Sequence, residues 1–187
     1  VSGLNDARGI AKCLSHGATD YLAKPVEPLI LDAKVVSALE RFAYRRELNL
    51  LATTDQLTQL LNRRAVMARL DEIVEQYFSE EISFGMLLLD IDFFKKVNDT
   101  YGHNGGDTVL QQFAGCLKNV MRATDVIGRM GGEEFIAIVQ STSINDFHSI
   151  CERIRTSVEA LSCNHDGIII KVTTSGGTYF SSELETN

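Results

Sequence analysis

The sequence predicts an α+β fold in which helices flank a central, mainly antiparallel sheet. Three observations carry that expectation. Short runs of β-branched and aromatic residues alternate with amphipathic helical stretches, and 44% of the 187 residues are hydrophobic, enough for a packed core. Two of the short runs, residues 125–129 and 135–139, flank Gly131-Gly132-Glu133-Glu134, so the glycine pair reads as a hairpin turn with positive φ that carries carboxylates at its tip. A hairpin at the centre of the pattern makes neighbouring strands antiparallel, which separates this fold from an all-parallel alternation.

Element by element, the chain opens with Ser2-Gly3-Leu4, a helical stretch over 6–16, and the loop 17–25, where Lys24-Pro25 is a candidate cis bond. Leu31, Val35, Ala38, Leu39 and Phe42 then recur at helical spacing. Pro28 suits a first helical turn, so residues 28–53 read as one long helix. Its apolar stripe weakens at Arg45-Arg46-Glu47, which marks an exposed connector with too few heptads to define a coiled coil. Residues 1–38 form a first unit, 39–53 a linker helix and 54–187 a second unit. In the second unit a turn at Asn62 precedes a helix over 64–78, a strand over 82–91, a helix over 93–99, a glycine-rich turn and a helix over 106–122. After the hairpin, Ile144, Phe147, Ile150, Ile154 and Val158 share one face of a helix over 143–161. Strands over 168–174 and 177–180 complete the sheet.

A formal charge of -7 argues against a nucleic-acid partner, whose backbone needs clustered lysine and arginine, but allows a free nucleotide whose phosphates a metal screens. Cys13, Cys116, Cys151 and Cys163 show no C-x-x-C spacing, so neither a zinc site nor a redox pair is predicted, and reduced thiols in a cytoplasmic setting are expected. No stretch approaches the ~20 apolar residues that cross a bilayer, so no membrane segment is expected in this chain.

The chemistry is carried by acids. The apolar run 84–89 leads into Asp90-Ile91-Asp92, and strand alternation puts Asp90 and Asp92 on one face. If this strand neighbours the hairpin, Asp90 and Glu133 converge. Carboxylates with no histidine or cysteine beside them suit a hard cation shared with substrate phosphates. Gly131 and Gly132 supply the positive φ of the turn and let a substrate approach closely. Phe93, Phe94 and Lys95 open a helix behind the acidic strand end, where backbone N–H groups hold phosphate. By residue type alone, Asn98 and Asp107 read equally as helix caps or as a pair that reads a guanine edge. Arg122-x-x-Asp125 reads as a helix-end ion pair or as a nucleotide fork. Glu134 is a functional acid or a solvated one, and Arg129 stays unassigned.

The words Asp55-Gln56-Leu57-Thr58-Gln59-Leu60-Leu61-Asn62-Arg63-Arg64, Asp90-Ile91-Asp92-Phe93-Phe94-Lys95-Lys96-Val97-Asn98-Asp99, Tyr101-Gly102-His103, Gly106-Asp107 and Gly131 to Phe135, in that order, resemble the GGDEF domain of diguanylate cyclases in a GGEEF form, a nucleotidyl-cyclase-like fold. The resemblance covers roughly residues 54–180. The family continues into a final helix with phosphate-binding Lys and Arg, so the domain reads as truncated at its C-terminus. The resemblance implies condensation of two GTP to cyclic di-GMP and two pyrophosphate. It implies Asp90, Glu133 and the Ile91 carbonyl on Mg2+ or Mn2+, with Gly131, Gly132, Glu133 and Glu134 as the catalytic turn. It puts Asn98 and Asp107 on guanine, Phe93, Phe94 and Lys95 at the phosphates, and Arg122, Asp125 and Arg153 at an inhibitory site for cyclic di-GMP. One site holds one GTP, so it also implies a homodimer.

Residues 1–38 resemble the last third of a response-regulator receiver domain. Lys24 stands where that family has its phosphoryl-contacting lysine, Ser2 at the hydroxyl that reports the phosphoryl group, and Tyr21 at the aromatic that shifts with it. The family's phosphoacceptor aspartate is absent from this sequence. The resemblance implies a sensor kinase as partner of a complete receiver, with residues 28–53 relaying phosphorylation as dimer geometry. Two other functions stay open: a non-catalytic effector that binds cyclic di-GMP, and a GTP-binding or dimerisation module.

Overall fold

The computed structural model describes residues 7–18, 20–22, 24–140 and 142–181. Its contacts divide into two units, one up to Leu50 and one from Leu51. The first holds α1 (Ala7–Ser15), a cis Lys24-Pro25 bond and most of α2 (Pro28–Thr53), whose last turn belongs with the second unit. Leu29, Leu39 and Phe42 of α2 are 79%, 63% and 67% exposed. Among the described residues no helix is long and apolar enough to cross a membrane.

The second unit runs β1 (Leu61–Asn62), α3 (Arg63–Glu80), β2 (Phe84–Ile91), α4 (Phe94–Val120), β3 (Val126–Gly131), β4 (Glu134–Gln140), α5 (Ile144–Ala160), β5 (Cys163–His165), β6 (Ile168–Ile170) and β7 (Thr174–Phe180). Five strands form one sheet in the order β1-β3-β4-β2-β7, antiparallel at every pairing except β1 with β3. Strand alternation splits the core into two layers. On one face Phe84, Ile136 and Ile138 pack with Val66 and Ile73 of α3. On the other, Leu87, Leu89, Phe135 and Val139 meet Phe113 and Leu117 of α4 and Phe147 and Ile154 of α5. This is the α+β architecture the sequence predicts.

Helix starts follow from capping chemistry. Asn62 accepts the Ala65 N–H at 3.0 Å, and Ser143 accepts that of Asp146 at 3.2 Å while donating to its carboxylate, a reciprocal box that fixes α5. Details of the elements differ from the sequence reading, among them β7, which begins at Thr174 rather than 177. Strand β2 begins at Phe84 rather than 82. The helices expected over 93–99 and 106–122 are both present as the two halves of α4, but the glycine break between them is confined to Gly102 (φ 72°, ψ 172°), so the second half starts before 106. The stretch 168–174 is not a sheet strand: β6 pairs instead with β5 as a separate hairpin, turned by Asp166 (φ 50°) and Gly167 (φ 85°). The two-residue turn of the central hairpin is Gly132-Glu133, one position later than expected, because a bulge at Met130 lets Gly131 pair with Glu134.

The strand directions create the site. Antiparallel pairing to β4 brings the C-terminal ends of β2 and β3 to the same edge as the start of β4. The pairing of Ile91 with Thr174 adds the start of β7, and α4 rises from that same edge.

Candidate functional site

Asp90 is the last but one residue of β2, and its direct partner across the ladder is Glu134. Both are exposed, on the face that carries Met86 and Leu88. Glu133 sits one residue before, half-buried in the turn. Partial desolvation, followed by the charges of Glu133, Glu134 and Asp92, pushes the Asp90 carboxyl above the usual carboxylate range. A concentration of negative charge of this kind is what a cation relieves. Among the described residues no group of three or more His, Cys, Asp or Glu side chains is placed to hold an ion. A cation held at such an edge by one or two carboxylates would complete its shell with carbonyl, water and phosphate oxygens.

Asp92 keeps the shared face that alternation predicts, since it bonds the hydroxyl of Ser175, the ladder partner of Asp90. Strand β2 stops at Ile91, and Asp92 turns to β7, accepting from Thr173 Oγ1 and Ser175 Oγ at 2.6 Å each, while its N–H bonds the Thr173 carbonyl. It ties the end of β2 to β7. A groove of about 330 Å³ lined by Leu88, Asp90, Glu134, Ser175 and Gly177 lies along this edge. A larger hollow of about 530 Å³ involves Asp92, Phe93, Lys96 and Lys171 but neither Asp90 nor the hairpin acids. The chemistry therefore points to the smaller groove.

Phe93 leads out of the acidic strand in the left-handed region (φ 56°) and is 82% exposed, preceding α4 rather than beginning it. Phe94 is in the core and Lys95 is solvated. The first N–H groups of α4 lack intrahelical partners and open onto the acid edge. The bend at Gly102 folds the two halves of α4 onto each other, so that a side chain at Gly106 would collide with Asn98 Oδ1 and the ring end of Phe94. Asn98 thus lies beside the residue preceding Asp107. Both sit within α4, so neither is a helix cap.

Residues 52–187 match the family described as "Diguanylate cyclase, GGDEF domain". The chain belongs to that family. It is 42% identical over 182 residues to the response regulator PleD of Caulobacter vibrioides, covering 92% of this chain and 40% of that one. It is 36% identical over 176 residues to diguanylate cyclase A of Treponema denticola, covering 91% and 46%. The chain spans less than half the length of these curated relatives. Among solved structures, diguanylate cyclase SiaD of Pseudomonas aeruginosa, in complex with its activator SiaC, superposes with a TM-score of 0.67 at 38% identity, over 81% of this chain and 60% of that one. The GGDEF domain of DgcB from Caulobacter crescentus, in complex with c-di-GMP, gives 0.65 at 32% identity, over 68% and 76%.

In this GGDEF domain the remaining predicted residues fall at a second corner. Asp125 accepts the Arg122 N–H at 2.8 Å, and its own N–H returns to the Arg122 carbonyl, closing the turn after α4. Arg153 of α5 donates to the Val120 carbonyl at 2.9 Å, which brings it to the same turn. Both guanidinium groups belong to exposed residues. In the first unit Lys24 is exposed, and the Tyr21 hydroxyl is buried with no hydrogen-bond partner among the described residues. Ser2 lies outside the described residues.

Sequence reasoning left one network of the GGDEF domain without a role. Arg129 donates through Nε and Nη2 to the Gly132 carbonyl at 2.9 and 2.8 Å, and through Nη1 to both Asp55 oxygens at 3.2 and 3.3 Å. Asp55 Oδ1 also accepts the Thr58 N–H and hydroxyl at 2.9 and 2.7 Å. The signal was present as Asp55-x-x-Thr58, a side chain that hydrogen-bonds a backbone N–H a few residues on, but nothing in the spacing joins it to a residue 74 positions later.

Proposed function

We propose that the chain is the GGDEF part of a response regulator that condenses two GTP into cyclic di-GMP, releasing two pyrophosphate. The observation that carries this reading is the β2–β4 register, which sets Asp90 against the hairpin acids at the edge where α4 begins. In each half-reaction the 3′-oxygen of one GTP bonds to the α-phosphorus of the other. The bond to the pyrophosphate oxygen breaks, and the hydroxyl proton leaves. Catalysis of this kind rests on positioning and on charge stabilisation.

Asp90, Glu133 and the Ile91 carbonyl are the groups that would hold Mg2+ or Mn2+. Such an ion supplies positive charge to the phosphates. Asn98 and Asp107 read the guanine edge from the bent α4, Phe94 backs them, and the N–H groups after Phe93, with Lys95, receive phosphate. Glu134, beside Asp90, is either a further metal-facing acid or the acceptor of the hydroxyl proton. Arg122, Asp125 and Arg153 bind cyclic di-GMP as inhibitor. Two domains facing each other across a two-fold axis supply the two nucleotides, so the active species is a homodimer. The match to PleD extends upstream of residue 52. That extension supports the receiver reading of residues 1–38, with a sensor kinase acting on the complete receiver and a cytoplasmic setting.

Incubation with GTP and magnesium, read by chromatography, tests the proposal. Cyclic di-GMP forms with the wild type and is lost in Glu133→Ala. Binding of cyclic di-GMP without turnover, abolished by Arg122→Ala, would instead establish the effector reading favoured by the Arg122–Asp125–Arg153 corner alone.

A further inference from the structure

The turn that carries Glu133 has little of its own to hold it. Gly131 and Gly132 adopt φ 147° and 52°, and the space where a Cβ would sit is open at both. Glycine has the largest conformational freedom of any residue, so two in succession leave the adjoining peptide free to rotate unless something else fixes it. The Gly132 carbonyl belongs to the peptide that joins Gly132 to Glu133, and Arg129 grips it with two donors. Charge-assisted hydrogen bonds of this sort are the strong ones.

Arg129 is itself immobilised. Its side chain is 14% exposed and that of Asp55 25%, so the pair is mostly shielded from water. Asp55 is locked by Thr58 and by its own backbone, whose N–H donates to the Leu60 carbonyl at 2.8 Å. The guanidinium therefore serves two acceptors at once through three nitrogens, in a planar fork that lysine cannot reproduce.

We infer that Arg129 is a positioning residue that, anchored by Asp55, holds the Gly132–Glu133 peptide so that Glu133 faces Asp90. The consequence for nucleotide binding rests on the function proposed above, while the hold on the turn does not. An ordinary ion pair would lower stability alone, whereas a strut loosens the tip while the strands beside it stay rigid.

The test uses the full 187-residue chain and compares wild type with Arg129→Ala, Arg129→Lys and Asp55→Asn. Backbone 15N order parameters are read for residues 131–134, and magnesium is titrated at fixed GTP. For Arg129→Ala and Asp55→Asn the tip falls from the rigid range near ~0.85 to below ~0.6, with β2 and β7 unchanged. The magnesium concentration for half-maximal GTP binding rises about tenfold, as loss of a charged hydrogen bond predicts, while GTP affinity in EDTA stays the same. Arg129→Lys, which reaches one acceptor but not both, falls between. Unchanged order parameters at 131–134, or loosening spread over the whole second unit, overturn the inference. A loosened tip in a protein whose wild type binds GTP without regard to magnesium upholds the strut and defeats the functional reading. If Arg129→Ala does not fold, Asp55→Asn, which keeps an oxygen for Thr58, carries the test.

Discussion

Replacing Asp90 by asparagine should stabilise the metal-free protein and abolish its stabilisation by magnesium and GTP. Asp90 and Glu134 face each other across β2 and β4, where opposed Cβ atoms are about 5 Å apart. Both residues are exposed, so the dielectric of water applies, and two unit charges about 6 Å apart repel by roughly 0.7 kcal/mol. Glu133 repels Asp90 at least as strongly as Glu134 does and Asp92 less, and salt screens all three by about half at this separation. The sum is about 1 kcal/mol, equivalent to a melting temperature about 3 °C higher in the variant. The sign with pH follows from linkage. The folded-state pKa of Asp90 lies above its unfolded value, so between the two values the native state binds more protons and stability falls as pH rises. The advantage of Asp90→Asn is therefore absent below the ordinary aspartate range, grows as pH climbs through the raised pKa, and is constant above it. Differential scanning fluorimetry from pH 4 to 8, in EDTA and again with magnesium and GTP, measures both limbs. A variant no more stable than wild type in EDTA at pH 7, or one that magnesium and GTP stabilise as fully as wild type, refutes the crowding of acids on which the site rests.

Phe135 is fully buried with its ring 4.7 Å from that of Phe113. Phe135→Ala should cost about 3–5 kcal/mol, read as a lower urea midpoint. Gly106→Ala drives a methyl into Asn98 and should weaken GTP binding about tenfold by calorimetry while leaving cyclic di-GMP binding intact, since a displaced hydrogen-bonding side chain is worth roughly that much. Burial raises the Asp55 pKa, but the two bonds from Thr58 and the Arg129 guanidinium outweigh it and hold the carboxyl below its usual range. Its contribution is thus present above the ordinary aspartate pKa and lost as pH falls through the lowered one. Asp55→Asn should be less stable than wild type by about 1 kcal/mol at pH 7 and match it at the acid end, measured by denaturation at a series of pH values.

Much of this was legible in the residues. The Leu-rich run ending in acid, the glycine turn and the Ile144 to Val158 stripe are local patterns, and the structure places a strand, a hairpin and a helix there. What escaped depends on distant partners. Leu61-Asn62 is too short to look like a strand and becomes one only by lying along Gly128-Arg129. The glycine-rich stretch after Thr100 reads as a break, and the break is there, but it is confined to Gly102 with helix on both sides. Asp166-Gly167 was a readable hairpin signal, with both residues at positive φ as a type I′ turn requires, hidden because the isoleucines after it suggested one long strand. Within the site, Asp90 and the hairpin acids could be anticipated from alternation, whereas the turn of Asp92 toward Thr173 and Ser175, more than 80 residues away, could not.

The ladder between Phe84 and Ile91 also limits how this segment can vary in length. Successive side chains point to opposite faces, so a single residue inserted between Phe84 and Leu89 would rotate Asp90 toward the α4 layer and bring an apolar neighbour out beside Glu134. A two-residue insertion would keep the parity but overshoot the hairpin by about 7 Å. Gene variants that add or remove codons here should therefore be silenced as nucleotide-handling proteins, whereas changes in length at the Asp166-Gly167 bend should pass almost unnoticed.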